Sequence, residues 1–171
     1  MDIKVNVHHD PIGLAAEHWA AHGWGEAATG MALVTSIMRV QQVLLARVEA
    51  ALRPSGLTFA RFEVLRLLGF TRTGTLPIGK IGERLQVHAA SVTNAVGRLE
   101  ADGLVERAPN PDDGRSVLVT LTPAGRRLVE SATRSLNDVF TRLPMPAAAQ
   151  RDVFTALRDV RAAFGDFDLP G

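Results

Sequence analysis

The chain has 171 residues, no cysteine and a formal net charge of +1. That length suits one domain with a sizeable core and is short for two independent enzyme domains. The missing thiols exclude disulfides, thiolate metal sites and thiol-based peroxide sensing, and the near-zero charge gives no sign of a nucleic-acid partner by itself. Residues 1–10 read as an extended arm containing His8, His9 and Asp10. Pro11 to His22 then reads as a helix, with Pro11 in the first turn and Gly23 and Gly25 ending it. Gly30 marks the next expected break. From Met31 to Arg53 the pattern is a long helix whose stripe Leu33, Ile37, Val40, Leu44 and Val48 is widened by Val34, Met38 and Leu45. Such a helix is expected to be buried from two sides. No signal-peptide pattern and no apolar run near bilayer length stands out, so a soluble cytoplasmic protein without a membrane partner is expected.

Pro54-Ser55-Gly56 is a breaker, and Thr58 can cap a helix carrying Phe59, Phe62, Leu65 and Leu68 toward Gly69. A polar loop from Thr71 to Thr75 leads into the stretch that organises the chain, Leu76 to Leu121. It holds a short helix from Pro77 to Leu85, a tight connection at Gln86 to His88, and a second helix from Ala89 to Asp102. In that helix Val92, Ala95, Val96 and Leu99 form one apolar stripe. The opposite face offers Ala90, Ser91, Thr93, Asn94, Gly97 and Arg98, mostly small and hydrogen-bonding. Short side chains let such a helix approach a DNA major groove, where Ser, Thr, Asn and Arg can reach base edges or phosphates. Gly103 suits a left-handed helix end, and two β-rich runs around Asn110-Pro111-Asp112-Asp113-Gly114 make a hairpin up to Leu121. Arg115 stands at its tip, where a cation can enter a narrow minor groove.

After the hairpin, Thr122-Pro123 starts a helix with the stripe Leu128, Ala132, Leu136, Val139 and Leu143, ended by Pro144 and Pro146. A last helix from Ala147 to Phe164 carries Val153, Leu157, Val160 and Phe164. The helices at the two ends of the chain have too little core behind them in one copy, so a symmetric dimer is expected. The fold class is mainly α with a small β-hairpin wing. One domain spans residues 1–171, with 1–56 and 122–171 as dimerisation helices and 57–121 as the winged helix-turn-helix lobe. Residues 76 to 115 contain five cations, Lys80, Arg84, Arg98, Arg107 and Arg115, against six carboxylates. Motif order, rather than charge, therefore carries the DNA reading.

The segments LTFARFEVLRLLG, LQVHAASVTNAVGRLEADGLVERAPNPDDGR and VLVTLTPAGRRLV resemble the MarR family of winged-helix transcriptional regulators. The resemblance covers about residues 31 to 164, and GRLEADGLVER, Asp113-Gly114-Arg115 and LTPAG are its most specific parts. It implies a homodimer with interleaved N- and C-terminal helices, a pseudopalindromic double-stranded operator, and most often repression. By the resemblance Arg115 is the minor-groove arginine and Asp113 the carboxylate that holds it. His88 replaces the usual good N-cap and Asp112 replaces a frequent second arginine, so weaker wing contacts are expected. The absence of cysteine removes the cysteine-oxidation branch.

The segment AEHWAAHG around Trp19 resembles the extra N-terminal helix of the family's urate-responsive branch, which implies a ligand-contacting Trp19 with Glu63 and Arg107 in an effector pocket. Ala95 stands where that pocket has its other arginine. A small anionic or aromatic effector is the expectation, against a reading in which Trp19 packs the helix and Arg107 pairs with a carboxylate at the wing root. His18 and His22 have zinc-compatible spacing, with His8, His9 and Asp10 as possible further ligands, which keeps a metal-responsive alternative open. A ligand-sequestering protein on the same scaffold is the other alternative. Gly74 to Ile81 nearly fits a phosphate loop but ends in Ile where magnesium needs Ser or Thr. No nucleophile elbow or metalloprotease spacing occurs, so no catalytic residue, no resident cofactor and no metal site is assigned.

Overall fold

The computed structural model describes residues 9–167, which leaves His8 and the rest of the first arm outside the described residues. Seven α-helices and three strands follow one another as α1 (Pro11–Ala21), α2 (Gly25–Leu52), α3 (Phe59–Phe70), β1 (Thr75–Pro77), α4 (Ile78–Leu85), α5 (Ala89–Ala101), β2 (Val105–Asn110), β3 (Asp113–Leu121), α6 (Pro123–Thr141) and α7 (Ala147–Ala163). Two compact units result, one up to Leu136 and one from Asn137 onward. The first holds the winged lobe.

Local chemistry sets most of these boundaries. Asp10 caps α1, its carboxylate accepting from the Ile12 N–H at 3.0 Å, while Pro11 begins the helix. Gly23 takes a left-handed conformation, the Trp24 N–H donates to the Trp19 carbonyl at 3.0 Å and the Gly23 N–H to that of Ala20 at 3.1 Å. That is a Schellman closure, and the same closure recurs where Gly103 ends α5: Leu104 N–H donates to Leu99 O and Gly103 N–H to Glu100 O, both at 2.9 Å. Thr58 caps α3, and Thr122 caps α6 by accepting from the Gly125 N–H at 3.0 Å.

Gly30 is not a break. It lies inside α2, which starts at Gly25, because one helical glycine costs only about 1 kcal/mol relative to alanine and the flanking turns absorb it. With that extension, Gly25–Ser55 is long and apolar enough by length and composition to cross a bilayer, which corrects the expectation that no such run exists. Polar residues interrupt it, with Arg39 Nη1 donating to Gln42 Oε1 at 3.3 Å. Only Val48 and Leu52 of α2 are buried, while Leu33, Val34, Met38 and Val40 are each more than half exposed. The expected burial from two sides is thus absent within one chain.

The core of the first unit gathers Val48 and Leu52 of α2, Phe62, Val64, Leu65 and Leu68 of α3, Ile81, the α5 stripe Val92, Val96 and Leu99, and Val105, Val119, Val129, Ala132 and Leu136. On α6 the buried position is Val129 rather than the expected Leu128, which is only partly buried. Val139 and Leu143 belong to the second unit and are likewise only partly buried. In that unit α7 buries no residue, and Phe154, Val160 and Phe164 are exposed.

The sheet has order β1-β3-β2 and is antiparallel throughout. Its third strand was not expected: Thr75, placed in a polar loop by the sequence pattern, pairs with Thr120, and Leu76 and Pro77 pair with Val119 and Leu118. Three residues are too few to show an alternation. Pro77 fits because β1 is an edge strand and Pro77 also stands at the N-cap of α4.

Candidate nucleic-acid interface

Helices α4 and α5 are joined by the tight turn at Gln86, a non-glycine residue in the left-handed region (φ 54°). They approach closely at Gly82, where an added Cβ would lie 3.3 Å from the Val87 carbonyl oxygen and 3.4 Å from Val92 Cγ2. Gly79, the other small residue of α4, has nothing within 4 Å of such a Cβ. Close packing is therefore the work of Gly82 alone.

Because Val92, Val96 and Leu99 face the core, the opposite side of α5 faces out, and Ser91, Thr93, Asn94 and Arg98 are all exposed. Thr93 is already oriented: its hydroxyl donates to the Ala89 carbonyl at 2.9 Å. What it can offer a base is its methyl group and its oxygen lone pairs, which suits a thymine methyl or a donor edge. His88 stands at the N-cap of α5 without a side-chain capping bond, as its chemistry predicts.

The wing is a hairpin with its turn at Pro111-Asp112, and both strands are longer than the sequence pattern suggests. Asn110 Oδ1 accepts from the Asp112 N–H and Asp113 Oδ1 from the Arg115 N–H, each at 3.1 Å. Asp113 thus holds Arg115 through its backbone, which leaves the exposed guanidinium available. The ion pairs explain how a nearly neutral lobe can present cations. Glu83 is engaged by Lys80 at 2.7 Å, Glu100 by Arg107 at 2.5 Å and Asp102 by Arg61, whereas Arg98 and Arg115 form no ion pair among the described residues.

The three residues assigned to an effector pocket fare differently. Trp19 and Trp24 meet with ring centroids 5.2 Å apart and planes tilted by 60°. They are the C3 and C″ positions of the Schellman closure ending α1, where an apolar contact is the usual companion. Arg107 pairs with Glu100, the carboxylate at the wing root, and holds the Glu100 carboxyl below its ordinary range. Glu63 is half-buried on α3, and burial raises its carboxyl above the ordinary value. A folded-state value above the unfolded one favours folding at acid pH and loses that contribution as pH rises through the raised value. Glu63→Gln is accordingly expected to be more stable than the native chain at pH 7, with the advantage vanishing below the ordinary glutamate range; urea midpoints across pH measure this.

Histidines do not converge on a metal site among the described residues, where no group of three or more His, Cys, Asp or Glu side chains could hold an ion. His22 Nδ1 lies 2.7 Å from the His18 carbonyl oxygen, to which it can donate, and the ring stacks on Trp24 at 6.0 Å. Trp24, and the contacts made by Arg61 and by Glu49, were not anticipated. The signal for Trp24 was Gly23, since a left-handed glycine at a helix end invites an apolar pair around it.

A buried-backed helix presented outward, a preceding helix packed on it through glycine, and a charged hairpin define the winged helix-turn-helix class of DNA-binding proteins. The MarR family sequence model matches residues 55–116. A MarR family transcriptional regulator from Streptomyces coelicolor is 51% identical, with a TM-score of 0.75 over 82% of this chain and 99% of that one. An HTH-type transcriptional repressor of Mycobacterium tuberculosis is 34% identical over 96 residues, 56% of this chain and 68% of the relative. MarR from E. coli, as a variant complexed with operator DNA, is 28% identical with a TM-score of 0.69 over 75% of this chain and 92% of that one. The chain belongs to the MarR family of winged helix-turn-helix transcriptional regulators.

Proposed function

We propose that the protein acts as a homodimer that represses transcription from a pseudopalindromic operator, with α5 in the major groove and Arg115 in the adjacent minor groove. The observation that carries this reading is the outward face Ser91, Thr93, Asn94 and Arg98, backed by buried Val92, Val96 and Leu99 and set beside a wing whose tip is ordered by Asn110 and Asp113. Residues 57–121 form the DNA-binding lobe in this reading, and 1–56 with 122–171 supply the dimer helices. The large apolar residues left exposed along α2, and separately along α7, support the dimer, since an apolar helix stripe without a partner in its own chain is the surface an interface covers. A two-fold pair places its recognition helices about 34 Å apart, one turn of B-DNA. A DNA partner implies work in the cytoplasm.

Anisotropy titration against duplex from the chain's own upstream region, with random duplex as competitor, tests the reading. Saturation that resists competitor at moderate salt is expected; binding no tighter than to random duplex would count against this operator. A small anionic or aromatic effector is the finer part of the proposal. An anion reaching Arg107 would have to displace Glu100, so the response should be weak unless Glu63 and Trp19 contribute. With salicylate as a first probe, quenching of tryptophan emission together with release of the duplex is expected, and Trp19→Phe should remove most of the quenching. The only other tryptophan is Trp24, its ring neighbour. Neither the histidine arrangement nor any described cavity favours the metal-responsive or sequestering alternatives.

A further inference from the structure

The recognition helix ends on an unusual residue. Asp102 is the C-cap of α5, where the partial negative charge of the helix end favours a cation and penalises a carboxylate. Its carboxylate pairs with Arg61, forty-one positions earlier at the start of α3. Arg61 is nearly covered, its side chain only 14% exposed against 52% for Asp102. The guanidinium also donates from Nη1 to the Gly56 carbonyl at 3.2 Å, and its Nε is buried without a partner. Two further bonds hold the first turn of α3, from which this side chain projects. Thr58 Oγ1 accepts from the Arg61 N–H at 3.3 Å, and Glu49 of α2 accepts from the Phe59 N–H at 2.9 Å.

As a source of stability this arrangement is poor. A carboxylate at a helix C-terminus, an unpaired buried nitrogen and a half-exposed partner are each unfavourable or of little worth. As a source of geometry it is strong, because the planar guanidinium offers donors at fixed angles to two acceptors at once. Together the bonds make a short chain of contacts from Glu49 of the long helix, through the start of α3, to the C-terminal end of α5.

We propose that Arg61 and Asp102 are positioning residues that fix the orientation of the recognition helix relative to α2, and so set the half-site spacing the dimer accepts. The proposal rests on the dimeric operator reading above. Neither residue belongs to the outward face of α5 or to the wing tip, so they act on spacing rather than on the bases read within a half-site.

In vitro selection from a randomised duplex library separates these effects. The native chain is expected to enrich inverted half-sites at one spacing, against which a one-base-pair change costs about tenfold or more in affinity. Asp102→Asn, which keeps the side-chain shape at a half-exposed position, and Arg61→Gln should enrich the same half-site sequence over several spacings, with that discrimination falling below about threefold. Thr73→Ser, a change in the exposed loop before β1 that lies outside the proposed dimer helices and away from the outward face of α5 and the wing tip, should behave as the native chain. Circular dichroism and light scattering on each variant verify fold and dimer, and Asp102→Asn carries the test if Arg61→Gln does not fold. A single unchanged spacing in folded Asp102→Asn would overturn the proposal, as would an equal loss of affinity at every spacing, which is the mark of a merely structural pair. Failure of the native chain itself to enrich paired half-sites would overturn the operator reading, and this proposal with it.

Discussion

Arg115→Ala is expected to weaken operator binding by about tenfold or more at moderate salt, within the roughly 1–3 kcal/mol that a base-reading arginine contributes. Arg115 is exposed on β3 beside the turn, its backbone N–H held by Asp113 and the turn itself held by Asn110. Those two bonds order the tip before DNA arrives, so little backbone entropy remains to be lost when the guanidinium enters the groove. A narrow minor groove concentrates negative potential, which makes one cation there worth more than one on an open phosphate. The same substitution should leave the molar mass of the dimer and its thermal midpoint unchanged, because Arg115 belongs to no core cluster and no ion pair among the described residues. Arg98→Ala provides the contrast. If Arg98 meets a phosphate, affinity should fall about equally for all duplexes and the salt slope should drop by about one. Anisotropy titrations over a salt series measure both, and unchanged affinity of Arg115→Ala would refute the wing assignment.

Much of the lobe is readable from the chain because its determinants are local. The stripe Val92, Val96 and Leu99, the caps at Thr58 and Thr122, and the left-handed Gly103 each follow from residues within one or two turns of the feature they fix. What the sequence hides is set by partners far along the chain. Strand β1 exists through its pairing with β3, and three residues ending in proline carry no signal of it. Arg61 and Asp102 are ordinary surface-type residues until forty-one positions of chain bring them together. Gly30 shows the opposite error, since a glycine that would break a short helix is tolerated inside one of 28 residues.

The candidate site divides in the same way. Ser91, Thr93, Asn94 and Arg98 could be placed on an outward face from periodicity alone, and the wing tip from its turn residues. Trp19 could not be assigned from the sequence, because its role depends on which ring meets it. The ring is that of Trp24, five positions later, across a left-handed glycine. Both readings of Trp19 start from the same residue; the closure of α1 supplies the ring partner that the sequence does not show, and the quenching test reads any effector contact. Arg107 is similar. It lies seven positions after Glu100, but the separation spans a helix end and a strand, so neither helical nor strand spacing relates them.

Gly125→Ala is expected to be the most destabilising glycine-to-alanine change among the described residues. Gly125 is the third residue of α6, in the LTPAG segment, and is buried. An added Cβ would lie 2.1 Å from the Leu104 carbonyl oxygen and 2.9 Å from Leu121 Cδ1. The first of these is backbone, and it cannot swing aside. The Leu104 carbonyl already accepts from the Thr122 N–H at 3.1 Å and the Thr122 hydroxyl at 3.1 Å, while the Leu104 N–H closes the end of α5 on Leu99. Moving it would therefore loosen both the start of α6 and the end of the recognition helix. Alanine in a helix ordinarily gains up to about 1 kcal/mol over glycine. Overpacking typically costs about 1–3 kcal/mol and more where backbone must shift, so the clash should win by about 2–3 kcal/mol. For a chain of this size that corresponds to a midpoint lowered by roughly 4–12 °C, compared at one protein concentration because the proposed dimer would be linked to folding. Gly79→Ala supplies the opposite sign within the same protein: nothing lies within 4 Å of its added Cβ, so the helix preference acts unopposed. A stabilisation of about 0.5–1 kcal/mol is expected there. Thermal and urea unfolding of the two variants side by side measure both signs, and a Gly125→Ala protein as stable as the native chain would mean that α6 does not sit against Leu104 as described.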